Sequence, residues 1–230
     1  MALQTLGIDL HIELAHISLP ALYRHRPLYH VALYHELGHF VDTHYKISES
    51  TMLQHPPQNK PGISPITLHQ IELRHRMEYF ADLFAASYTG VGIHNFLNNF
   101  APGQAASHTH PATNNRLSII DVFLNGKTNP IIDLFHNSLQ IRSLPQLIIR
   151  FESPELDISF GEIRPVNLNS TLQVHGILDA GWSFLERALD QNIELWNDLD
   201  NLQAERILND LIEKSVRNLM VKEKWNDETA

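Results

Sequence analysis

The amino-acid sequence predicts a mainly helical protein with a small β-sheet, an α+β fold. Two observations carry this. Apolar residues recur at helical spacing along most of the chain, in segments bounded by Pro and Gly. Residues 8–14, Ile-Asp-Leu-His-Ile-Glu-Leu, alternate strictly, which is the pattern of a half-buried strand.

The elements follow in order. Pro27 suits a first helical turn, and the helix it opens runs through Leu33, Leu37, Phe40 and Val41 to end near Tyr45. Residues 47–65 are rich in Ser, Gln, Asn and Pro and predict a loop. A long helix over 66–88 carries Leu68, Ile71, Leu73, Met77, Phe80, Leu83 and Phe84, and Gly90 and Gly92 stop it. A short helix covers 93–100, and small residues make a loop of 101–110. Pro111 opens a further helix that ends at Gly126. Helices are expected at about 130–141, 171–189 and 200–221. The stretch 151–170 between them is irregular, with short strands at 156–160 and 163–166. The last helix has an apolar stripe of Leu202, Ile207, Leu208, Leu211, Ile212, Val216 and Leu219. Such a stripe packs against the rest of the fold or, as a second expectation, forms a homodimer or partner contact.

Composition excludes several functions. The net charge of -9, with no basic cluster, argues against a nucleic-acid partner. The absence of cysteine removes disulfides, thiolate metal sites and a cysteine nucleophile. Charged and His residues interrupt every apolar run, so no membrane span is expected, and the start of the sequence lacks a signal-peptide pattern. A cytoplasmic location is the resulting expectation. Most of the 15 histidines, among them His11, His16, His25, His69, His94, His136 and His175, share no ligand-like spacing.

Three clusters do have such spacing. In His35-Glu36-Leu37-Gly38-His39 the two imidazoles are four apart, so on a helix they share a face and can take two corners of a zinc tetrahedron. Glu36, beside His35, can reach a metal-bound water without being a ligand. The apolar flanks Val31–Tyr34 and Phe40–Val41 predict a buried helix, in which these polar groups need a compensating charge or ligand. A third ligand must come from elsewhere. The extended motif would want His at 45, where Tyr45 stands, and Asp42 replaces its glycine. Glu78 is the next candidate, and Asp82 shares its helical face, where it can accept the outer N–H of a ligand His. Glu72 is a weaker one. The third cluster is His110-Pro111-Ala112-Thr113-Asn114-Asn115-Arg116.

Taken in order, His35-Glu36-x-x-His39, Glu78-x-x-Ala81-Asp82 and His110-Pro111-x-x-x-x-Arg116 resemble the signatures of the gluzincin metallopeptidases of the HtpX and CAAX prenyl endopeptidase family. The resemblance covers about residues 27–120. It implies a zincin-like core over 1–126 and a helical region over 127–230 that packs on it or extends it. It implies one zinc ion held by His35, His39 and Glu78, Glu36 as catalytic base, and Asp82 behind the ligands. It also implies that His110 lies near the metal, to stabilise an oxyanion or occupy the open coordination position, and that Arg116 anchors the site through a carboxylate. Many members are integral membrane proteins; with no spanning segment here, the prenyl-protein substrate of those members is not implied. A second similarity, to soluble ImmA/IrrE-type peptidases, covers the first two clusters but not the third. The expected activity is zinc-dependent hydrolysis of peptide bonds in a protein or peptide substrate. The competing expectation is a non-catalytic zinc-binding regulatory protein that works through its helical C-terminal half.

Overall fold

A computed structural model of the chain describes residues 17–190 and 193–229. Among these the fold is all-α, with no strand. The helices are α1 (Val31–Tyr45), α2 (Ile47–Gln54), α3 (Pro65–Thr89), α4 (Val91–Phe100), α5 (Thr113–Leu124), α6 (Pro130–Ile141), α7 (Asp157–Gly161), α8 (Thr171–Asp190) and α9 (Asn201–Thr229). Two short 3-10 turns, Ala21–Tyr23 and Pro27–His30, lead into α1.

This corrects the α+β expectation. The strand expected at 8–14 lies outside the described residues. The one expected at 156–160 is mostly α7. Leu156 and Phe160 are buried while Ile158, between them, is 77% exposed. A strand would have put all three on one face; only the four-residue spacing of a helix separates Ile158 from the other two. No strand forms at 163–166 either. Ile163 takes a left-handed φ of 53°, which a β-branched residue in a strand does not. The expected loop at 47–65 begins with α2. Its buried face is partly hydroxylic: Ser48, Ser50 and Thr51 lie inward beside Ile47 and Met52, so a search for apolar periodicity passes over it. Lys46, at φ 50°, breaks the chain between α1 and α2. Buried Asp42 spans the break, its two carboxylate oxygens accepting the N–H and the hydroxyl of Ser48, each at 2.7 Å.

Local signals account for the ends of α3. Ser64 caps it by accepting from the Thr67 N–H at 3.1 Å, and Pro65 fills the first turn. Gly90 ends it at φ 52°, where a Cβ would sit 1.9 Å from Asp179 Oδ1. That same oxygen accepts the Val91 N–H at 2.8 Å and so caps α4.

Two apolar clusters hold the fold. One gathers α1 to α6 around Phe80, Leu83, Ile120 and Phe135, and takes Leu178 from α8. The other joins α7, α8 and α9 around Phe160, Phe184, Trp196, Leu208 and Ile212. The stripe of α9 is thus largely spent inside the molecule, with Leu208, Leu211, Ile212 and Leu219 buried. The second cluster also grips the lead into α1. Leu28 is fully buried in it. The Leu28 N–H donates to Asn209 Oδ1 of α9 at 3.0 Å, and the Leu28 carbonyl accepts from Trp182 Nε1 of α8 at 3.2 Å. No described helix is long and apolar enough to cross a membrane.

Candidate metal centre

Helices α1 and α3 pack against each other more extensively than any other pair among the described residues. They come into close backbone contact at Gly38. A Cβ there would stand 2.8 Å from Ala81 Cα and 3.1 Å from Phe84 Cβ, so only glycine lets the backbones come this near. The contact falls between His35 and His39 on one helix and between Glu78 and Asp82 on the other, and it aims the two pairs at each other.

The ligand atoms of His35, His39 and Glu78 lie within 4.8 Å of one another, so the three side chains could hold a metal ion. His35 Nε2 is 3.0 Å from His39 Nε2 and 3.5 Å from Glu78 Oε2; His39 Nε2 is 3.4 Å from Glu78 Oε1. Glu72 is not in the group; its carboxylate lies 3.4 Å from Arg76 Nε.

Behind the three lies a buried charge network. Arg116 of α5 donates Nε–H to Asp82 Oδ2 and Nη2–H to Asp82 Oδ1, both at 2.7 Å. This bidentate pair fixes both groups in one plane. Arg116 Nη2 also lies 3.2 Å from Glu78 Oε2. His35 Nδ1 is 3.0 Å from Asp82 Oδ1; the separation suffices for a hydrogen bond, but the ring orientation does not make one. His35 Nδ1 and Glu78 Oε2 are accordingly the two buried side-chain polar atoms without a hydrogen-bond partner among the described residues.

Burial pushes the Glu78 carboxyl up, but the two imidazoles and Arg116 outweigh it and hold the group well below the usual carboxylate range. Asp82 is held low against its own burial by Arg116 and His35. For His35, burial lowers the pKa, yet Asp82 and Glu78 raise it to about 9. The metal-free imidazole therefore carries a proton at neutral pH, and a cation that binds its nitrogen must displace that proton. Affinity for a divalent cation is expected to rise with pH up to about 9. Near pH 7, binding should release roughly one proton from this group. Titration calorimetry in buffers of different ionisation enthalpy measures the release; pH-independent affinity with no proton released would contradict it.

Glu36 follows His35 on α1, is exposed, and lines a cavity of about 590 Å³. His110 sits in the loop between α4 and α5, half exposed, with Nε2 3.4 Å from Glu78 Oε1. It is not one of the three clustered ligands. Residues that sequence reasoning missed hold it there. His110 Nδ1 is 2.8 Å from Thr109 Oγ1, the His110 N–H donates to Ser107 Oγ at 3.0 Å, and His75 Nε2 is 2.8 Å from the Ser107 carbonyl. Two hydroxyl residues just before a His-Pro pair were the available signal, since Ser and Thr favour such local turns. The site therefore gathers His35, His39, Glu78, Asp82 and Arg116 in one unit whose acidic and guanidinium groups are buried and whose imidazoles are partly exposed, with His110 at its edge and Glu36 on the adjoining face of α1.

No family model, no curated protein and no solved structure matches the chain. The likeness to the HtpX and CAAX prenyl endopeptidase family stands on the three motifs alone.

Proposed function

We propose that the chain is a zinc-dependent endopeptidase that hydrolyses peptide bonds of a protein or peptide substrate, with one zinc ion on His35, His39 and Glu78. The spacing of the donor atoms carries this reading. Donors 2.0–2.1 Å from a tetrahedral zinc stand about 3.3–3.4 Å apart. Here the two imidazole Nε2 atoms are 3.0 Å apart, and each faces a different Glu78 oxygen, His39 Nε2 at 3.4 Å from Oε1 and His35 Nε2 at 3.5 Å from Oε2, which are spacings of that size. Buried Glu78 Oε2 accepts no hydrogen bond; it is met by the Arg116 guanidinium at 3.2 Å and the His35 imidazole at 3.5 Å and keeps lone-pair capacity for an ion. Three protein ligands, rather than four, are the set that leaves a position for water or substrate.

Zinc in this position supplies Lewis acidity, bringing the pKa of a water toward ~7 and polarising a carbonyl. The chain's own groups do the rest. Glu36 accepts the proton of the attacking water and delivers it to the leaving amine. His110, oriented by Thr109 and Ser107, donates from Nε2 to the carbonyl oxygen as negative charge develops on it; losing one such donor costs ~10²–10³ in rate. Asp82 and Arg116 hold Glu78 and His35 in register without touching substrate.

Two variants test the reading together. Glu36→Gln is expected to keep one zinc per chain by metal analysis and to lose ~10²–10⁴ of the hydrolysis rate on a proteome-derived peptide library. Glu78→Ala is expected to lose zinc and hydrolysis alike. Full activity in Glu36→Gln would refute its role as base. A wild-type protein that holds zinc yet cuts nothing would instead be a non-catalytic zinc-binding protein.

A further inference from the structure

The open side of α1 differs from its metal side. Ala32, Glu36 and Phe40, each four residues apart, line the cavity of about 590 Å³, while His35 and His39 face α3. The two faces adjoin, since consecutive helix positions are ~100° apart. The rest of the cavity wall carries three more aromatic rings, Tyr23, Tyr29 and Phe96, together with Leu33 and the segment 17–20.

These rings brace one another. Tyr23 stacks on Tyr29 with centroids 5.2 Å apart, and Phe96 meets Tyr29 edge-on at 6.4 Å. Phe100, behind them, stacks on Phe96 at 4.5 Å and meets Tyr29 at 5.6 Å. The one polar atom of the Tyr29 side chain is already engaged, its hydroxyl donating to Glu205 Oε2 of α9 at 2.9 Å. Tyr29 thus offers the cavity a ring rather than a free hydroxyl. Glu36 is the only charged residue on the cavity wall among the described residues.

We infer that this cavity is a specificity pocket that receives a large apolar side chain of the substrate, adjacent to the scissile bond, and rejects acidic ones. The inference rests on the peptidase reading above and adds the substrate class. A peptide whose scissile carbonyl lies by the metal and Glu36 has its neighbouring side chain over the adjoining face of α1. Braced aromatic walls reward an aliphatic or aromatic group there through burial and edge-on ring contacts. The Glu36 carboxylate repels a second carboxylate.

The test separates pocket from chemistry. Capped hexapeptides carry a non-hydrolysable reduced amide at the central bond and one variable residue, Phe, Leu, Ala or Asp, on either side of it. Binding to the zinc-loaded wild-type chain is measured by calorimetry. In one of the two series, Phe or Leu is expected to bind about tenfold tighter than Ala, with Asp weakest. Ala32→Phe fills the pocket and is expected to abolish the preference while zinc content is unchanged. Phe96→Leu widens the pocket and is expected to move the optimum toward Trp, read with a fifth peptide that carries Trp at the variable position; it also serves if Ala32→Phe does not fold. Equal binding across both series, no binding of any member, or an unaltered preference in both variants would overturn the pocket. Hydrolysis of the matching ordinary peptides is scored separately. Selective binding without hydrolysis sinks the peptidase reading and leaves the pocket, whereas hydrolysis without side-chain preference does the reverse.

Discussion

Replacing Arg116 with alanine is expected to remove about 3–5 kcal/mol of folding stability from the metal-free protein. The reason is what it leaves behind. Asp82 is 1% exposed and takes both of its strong hydrogen bonds from Arg116. Glu78, in the same pocket, has the Arg116 guanidinium 3.2 Å away. Without that cation two buried carboxylates are left with the His35 imidazolium as their nearest positive charge, and the planar two-point bond to Asp82 is lost outright. Arg116→Lys is expected to recover only part of the loss, because an ammonium cannot make the planar two-point bond. Saturating metal is expected to narrow the gap, since it supplies positive charge to the same cluster and stabilises whichever folded form binds it. Urea unfolding followed by the fluorescence of buried Trp182 and Trp196, with chelator and with metal, measures all three. A loss under about 1 kcal/mol would mean that Asp82 does not depend on Arg116.

The second large effect is at Gly38. On an exposed helix, Gly→Ala stabilises by about 1 kcal/mol through helix propensity. Here the added carbon would meet Ala81 Cα at 2.8 Å. The obstacle is backbone, which cannot swing aside as a side-chain tip can. We expect the helices to move apart and the net change to be destabilising by about 1–3 kcal/mol. The sharper readout is metal affinity. Moving α1 away from α3 parts His35 and His39 from Glu78, so affinity is expected to fall at least tenfold, as it does when ligand-orienting contacts are lost. A Gly38→Ala protein that is more stable and binds metal as before would show that the close approach is not required.

These two residues also mark what could be read without coordinates. The helical spacing of His35 with His39, and of Glu78 with Asp82, was visible because i and i+4 share a face whatever surrounds them. The bounds of α3 and the start of α6 were nearly visible, because Pro65 and Gly90 bracket the one and Pro130 opens the other. How near α1 comes to α3 was not, although Gly38 and Ala81 record it as a pair of small residues far apart in sequence. Helix α2 escaped because its inward face uses hydroxyls, satisfied in part by Asp42 and by Arg76, which donates to Thr51 Oγ1 at 3.1 Å. The strand expected at 156–160 failed on one side chain: Leu156 and Phe160 fit either period, and only the exposure of Ile158 decides between them. The aromatic wall was invisible for a different reason. Tyr23, Tyr29, Phe96 and Glu205 come from distant segments, and no local pattern joins them.

The grip of α8 and α9 on Leu28 bears on how the molecule is made. The helix that carries both histidines is translated well before α9, and the turn that leads into it, Pro27–His30, lacks its protein acceptor for the Leu28 N–H until Asn209 has left the ribosome. Until then the lead into α1 is a short apolar segment with its partners still unmade, and the wall braced by Tyr29 awaits Glu205. The lead into α1 and the cavity wall beside it therefore reach their final form only once α8 and α9 have been made. A nascent chain would carry the rings of that wall well before it carried the partners that set them.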